Sequence, residues 1–183
     1  MAYTNDMIEN PVIGDKVQFL ITSEDSKGEI LKTKLWLKIG AKGTPEHVHP
    51  KQLETFEVIS GTARIKLSGE DLILTAGQKI EIPKNAPHKF SNAGDDELIM
   101  IGELMPAMRT EFFIETMYAV AIKGKVNSEA IPTDFFQFMT ILNEYYGEVF
   151  IVGIPIPIQK IVTKVVGGIG KVFGYKGFIS CKG

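Results

Sequence analysis

Seven short runs between Val17 and Leu104 repeat apolar residues at every second position, and each ends in a cluster of turn residues. This rhythm restricts that part of the chain to an all-β barrel or sandwich. The runs are VQFLIT, LKTKLWLKI, TARIKL, DLILT, QKIEIP, HKFSN and ELIMIGEL, with SEDSKG, SG, SGE, AG, PKNAP and NAGDD as separators. In the second run Leu31, Thr33, Leu35, Leu37 and Ile39 share one face, and Lys32, Lys34, Trp36 and Lys38 the other. The Gly, Asn, Asp and Ser of the separators are the residues that tight turns favour.

Near residue 107 the period becomes helical. FFIETMYAVAIKGK predicts a helix closed by Gly124, and TDFFQFMTILNEYYGEVF a second with Thr133 or Asp134 as N-cap. A third is expected from about Pro157 to Tyr175, where Ile158, Ile161, Val162, Val165, Val166, Ile169, Val172 and Phe173 form one stripe. Gly167, Gly168 and Gly170 weaken that helix by up to ~1 kcal/mol each relative to alanine. The division expected is a β-domain over 1–107 and a helical extension over 108–183 that packs on it or on a second subunit.

A net charge of −2 gives no electrostatic drive toward nucleic acid. The N-terminal stretch lacks the basic start and apolar core of a secretory signal, so a cytoplasmic location is expected. The longest apolar run, Val149 to Ile158, contains Gly153, Pro155 and Pro157 and falls well short of the ~20 residues that span a bilayer. The one cysteine, Cys181, lies near the C-terminus and is expected to be a frayed, inert thiol.

Every histidine falls in two segments, GTPEHVHPKQLETFEVISG (Gly43 to Gly61) and GQKIEIPKNAPHKFSN (Gly77 to Asn92). His47 and His49 are two apart, so an extended backbone points both to one face. The stretch PKQL can turn Glu54 back beside them from the next strand. His88 arrives from far along the chain, which an interior shared by several strands permits. Three neutral imidazoles and one carboxylate suit a divalent first-row transition ion and leave two positions open if it is octahedral.

These segments resemble the two motifs of the cupin superfamily, and the chain looks like a small bacterial single-domain cupin with a helical extension. His47, His49, Glu54 and Gly61 match the first motif, and Gly77, Pro83, His88 and Asn92 the second. The resemblance implies a jelly-roll (double-stranded β-helix) barrel whose metal ligands are His47, His49, Glu54 and His88. It does not identify the ion among Fe, Mn, Ni, Cu and Zn. Two positions depart from the pattern. The opening glycine falls at Ala41, with Gly40 and Gly43 beside it, and the turn glycine of the second motif is Asn85, the residue after glycine best suited to positive φ.

Phe90 and Asn92 share the face of His88, and Phe56 and Val58 that of Glu54, so these are expected inward with Leu35 from a facing strand. Gln52 is polar and close to the ligands, and is either a pocket residue or an exposed turn residue. No lysine or further histidine stands beside the ligands as a general base, so the metal must supply most of any chemistry. A metal-dependent, dioxygenase-like oxidoreductase acting on a small organic molecule leads. A metal-dependent isomerase or lyase of a small polar molecule, and a non-catalytic binding or sensor module, remain open.

After Glu148 there are five lysines and no acidic residue, so that segment carries +5 and the remainder −7. Lys160, Lys164 and Lys171 are expected on one helical face opposite the apolar stripe. The stripe is expected to be covered by the barrel, by the preceding helices or by the second subunit of a homodimer, with an anionic membrane surface as the alternative.

Overall fold

The computed structural model describes residues 2–182. Its strands are β1 (Met7–Glu9), β2 (Lys16–Ile21), β3 (Leu31–Leu37), β4 (His47–Val48), β5 (Leu53–Ser60), β6 (Thr62–Leu67), β7 (Glu70–Thr75), β8 (Lys79–Ile82), β9 (His88–Asn92), β10 (Leu98–Met105) and β11 (Phe150–Ile151). They form two antiparallel sheets, in the orders β1-β2-β3-β10-β5-β8 and β11-β4-β9-β6-β7. The helices are α1 (Thr110–Ile122), α2 (Phe135–Glu144) and α3 (Ile156–Val172).

Alternation does the folding work. In β10 the buried positions are Leu98, Met100, Gly102 and Leu104, one face of the strand. Leu98 and Met100 join Leu37, Phe56 and Val58 of the same sheet, and Ala63, Ile65 and Phe90 of the other, in one apolar core. The β6–β7 hairpin turns through Ser68 and Gly69, both at positive φ (51° and 92°), as a two-residue hairpin of the twist-matched type requires. A second cluster, Val17, Phe19, Leu31, Leu104 and Ala107, receives Ile114 and Tyr118 and so docks α1 on the end of the sandwich.

The structure corrects several expectations. Ile39 is 62% exposed, because β3 ends at Leu37 and the chain turns through a hydrogen bond from Ala41 N–H to Lys38 O. The second helix stops at Glu144, and Phe150–Ile151 becomes an edge strand paired with β4. Asp134 is its N-cap, accepting from Gln137 N at 3.0 Å. Cys181 is not frayed: its Sγ donates to Glu115 O, its backbone N–H to Glu115 Oε1, and burial raises the thiol to about 11.

The largest correction concerns α3. Its buried residues are Thr163, Gly167 and Gly170, whereas Ile158, Ile161, Val165, Ile169 and Val172 are exposed. The glycines are the packing surface. A Cβ on Gly167 would lie 2.5 Å from both Asn143 Cβ and Met139 O, and one on Gly170 would collide with Thr140 Oγ1. Helix propensity is given up so that α3 can lie close against α2, and the apolar stripe is thereby turned outward.

Gly167→Val should therefore lower the melting temperature by several degrees, since forcing a side chain into a packed contact costs roughly 1–3 kcal/mol. Val165→Ser on the opposite face should leave it unchanged. Calorimetry of the two variants checks which face is packed, and the reverse ranking would contradict this orientation.

Candidate metal centre

β4 and β9 pair so that His47 stands directly opposite His88. Glu54 lies in β5 of the other sheet, beside Leu104 of β10 and Ile82 of β8. His49 follows β4 immediately. One ligand atom from each of His47, His49, Glu54 and His88 lies within 4.8 Å of the other three. The group thus joins the two sheets across the interior. His49, Glu54 and His88 are buried, and His47 is the most exposed of the four.

Each ring is oriented by a backbone carbonyl. The Nδ1 atoms lie 2.8 Å from Pro45 O (His47), 3.1 Å from Glu148 O (His49) and 2.9 Å from Ala86 O (His88). A carbonyl can only accept, so Nδ1 carries the proton in each ring and Nε2 is left as the free lone pair. Metal-binding imidazoles are prepared in this way.

Between the rings the chain's own polar groups fall short of satisfying one another. His88 Nε2 is 2.7 Å from Glu54 Oε2, and His49 Nε2 is 3.9 Å from the same oxygen. Yet Glu54 Oε2 and His88 Nε2 are both buried without a hydrogen bond. Buried polar atoms are seldom left this way unless something else satisfies them. A divalent ion accepting three nitrogens and one carboxylate oxygen fits the donor set.

The electrostatics separate the three histidines. Burial, reinforced by repulsion from His49 and His88, pushes His47 down to about 3, and burial also lowers His49. For His88 burial acts downward, but the Glu54 carboxylate outweighs it and holds the ring above 6.5. Glu54 is correspondingly lowered, its burial outweighed by His88 and the other imidazoles. Of the three rings, His88 is therefore the one that takes up a proton most readily as pH falls.

The pocket residues have mixed fates. Phe56 and Phe90 are each two positions along the strand from Glu54 and His88, and their ring centroids are 5.1 Å apart. Both belong to the buried apolar core of the sandwich. Gly102 pairs with Phe56, and a Cβ there would come nearest to Thr33 Oγ1, at 3.2 Å, with Phe56 and Leu35 in ordinary contact beyond it. Asn92 is buried but sits four residues from His88, roughly 13 Å along an extended strand. Its amide donates to Leu37, Lys38 and Asp96 carbonyls, which makes it a loop anchor. Gln52 is neither exposed nor free: it is 1% exposed and its Nε2 donates to Pro106 O, Ala107 O and Thr110 Oγ1. It braces the start of α1.

Sequence reasoning missed Glu148. Its carbonyl holds His49, and its carboxylate accepts Arg109 N at 3.0 Å. No local pattern marks it, because its contact spans 99 positions. A groove of about 240 Å³ opens beside this region, with Pro50, Lys51, Asn85, Tyr146 and Phe150 among its walls.

Residues 36–102, which contain all four ligand candidates, match the family model of the cupin domain. The sandwich has the jelly-roll fold of cupin domains. A Thermotoga maritima structure described as a predicted oxalate decarboxylase superposes with a TM-score of 0.51 at 19% identity, covering 56% of this chain and 92% of that one. At that identity the likeness carries the fold alone. An RmlC-like cupin from Shewanella frigidimarina is 24% identical over 61% of this chain and 94% of its own, with a TM-score of 0.49. "Polyketide synthase CurC" of Streptomyces cyaneus is 39% identical over 61 residues, 33% of this chain. The chain spans 40% of that relative's length.

Elemental analysis of the purified protein should find a single transition ion per chain, and the His49→Ala/His88→Ala variant should lack it. A double variant that stays fully loaded would sink the assignment. Metal affinity should also depend on pH with a defined sign. Below the raised pKa of His88, binding must expel a proton, so apparent affinity falls as pH drops through that value and levels off above it. Competitive chelator titrations across that range check the slope.

Proposed function

We propose that the protein is a metal-dependent oxidoreductase, dioxygenase-like, that holds one divalent transition ion on His47, His49, Glu54 and His88. The observation that carries this reading is the donor set: three imidazoles with Nδ1 already engaged and one carboxylate, whose ligand atoms lie within 4.8 Å of one another. Such an ion would supply Lewis acidity and, if redox-active, electron transfer.

The side chains near the ligands in sequence support one substrate class. Phe56, Phe90 and Leu35 offer apolar walls and no donor, so they suit a flat, apolar molecule better than a phosphorylated or polyanionic one. A divalent ion balanced by a single carboxylate leaves net positive charge in a buried place. A substrate that becomes a monoanion by losing one proton offsets that charge. Aromatic diols, flavonols and enolisable diketones meet both conditions, and the partial likeness to a protein named as a polyketide synthase supports the same class. The reading includes a barrel unit over 1–107, an extension over 108–183, a cytoplasmic location and a homodimeric assembly.

Oxygen-electrode assays with these three substrate classes test it. Oxygen uptake is expected from metal-loaded protein with at least one class, and loss of about 10²-fold or more in Glu54→Gln, which leaves the ion without its charged ligand. Turnover without oxygen uptake would favour an isomerase or lyase. Tight binding of a small molecule with no turnover would favour a sensor.

A further inference from the structure

We propose that α3 is an interfacial helix that docks the protein face-down on an anionic lipid surface. Ile158, Ile161, Val165, Ile169 and Val172 recur at helical spacing and fall within an arc of ~80°. They are 43–85% exposed, the extremes being Ile169 and Val172. The opposite face, Thr163, Gly167 and Gly170, is the one sealed against α2. The apolar arc is therefore held outward by packing behind it.

The patch does not end with the helix. Phe173, 73% exposed, lies beside Phe136 with ring centroids 6.4 Å apart, and Phe135 is 56% exposed. Apolar surface thus runs from α3 onto the start of α2. Isolated exposed apolar residues are ordinary, but a continuous face of this kind marks an interaction site.

Charge identifies the occupant. Lys160, Lys164 and Lys171 lie along one flank of the arc, and after Glu148 the chain has no acidic residue. Lys171 is paired with Glu144 at 2.7 Å, whereas Lys160 and Lys164 rest over the rings of Phe150 and Tyr146 and have no ion pair among the described residues. An apolar arc with lysines at its edge is the pattern of a helix lying at the boundary between headgroups and acyl chains. A second copy fits less well: antiparallel pairing of two α3 helices about a two-fold axis sets both lysine rows on the same edge of the joint. No helix among the described residues is long and apolar enough to cross a membrane, so the contact is with the surface.

The test uses the full chain and vesicles of phosphatidylcholine alone or mixed with phosphatidylserine. Sedimentation should recover the protein with the phosphatidylserine vesicles, less so at high salt. Lys160→Gln and Lys164→Gln should each weaken binding roughly fivefold, the equivalent of a lysine near an anionic surface. Ile161→Ser/Val165→Ser should abolish binding while leaving the melting temperature unchanged. Failure to bind either vesicle, or retained binding in the serine variant, would overturn the proposal. So would a dimer in sedimentation velocity that the serine variant converts to monomer, since a second copy would then own this face.

Discussion

All three histidine rings are locked by a backbone carbonyl, and the candidate centre depends on that constraint. A ring free to rotate would present either nitrogen and would lose conformational freedom on capturing an ion. Here the tautomer and direction are set by Pro45, Glu148 and Ala86 before any ion arrives. Two of those carbonyls are local, two residues before the ring they hold. The third is supplied from the far end of the chain.

That distant carbonyl makes the C-terminal segment part of the site. Glu148 holds His49 through its backbone and the entry to α1 through its carboxylate. Immediately after it, Phe150 and Ile151 pair with Val48 and His47, and Val152 N–H donates to Glu46 O, so the strand bearing His47 gains an outer neighbour. Arg109 adds a bidentate link to Glu144 of α2, and Gln52 fixes the chain between β10 and α1. Removing the helical extension would therefore disturb the ligands, though no extension side chain belongs to the four-residue cluster.

The β architecture and the four converging side chains were legible because both rest on short-range periodicity. Two-residue alternation places His47 with His49, and it sets Phe56 behind Glu54 and Phe90 behind His88. Asn85 takes φ 64°, as its place in the turn required. Near Ala41 the glycine that matters is Gly43, where a Cβ would strike Phe90 O. What could not be read was how far each alternation extends and what polar side chains are spent on. Ile39 continues the pattern in sequence but lies past the turn, and Gln52 and Asn92 satisfy carbonyls contributed by segments more than fifty positions away.

α3 shows why hydrophobic pattern alone misassigns a packed face. The pattern marks where apolar side chains cluster, and burial of that cluster is the default inference because it removes the most apolar surface from water. Packing follows a second criterion, the closeness with which backbones can approach. Gly167 and Gly170 with Thr163 let α3 sit against Met139, Thr140 and Asn143 at a distance that the Ile158–Val172 face could not reach. Once that approach is taken, the lysine flank and the branched side chains are fixed in direction. The glycines that lower helix propensity are therefore also what determines which surface the protein presents to its surroundings.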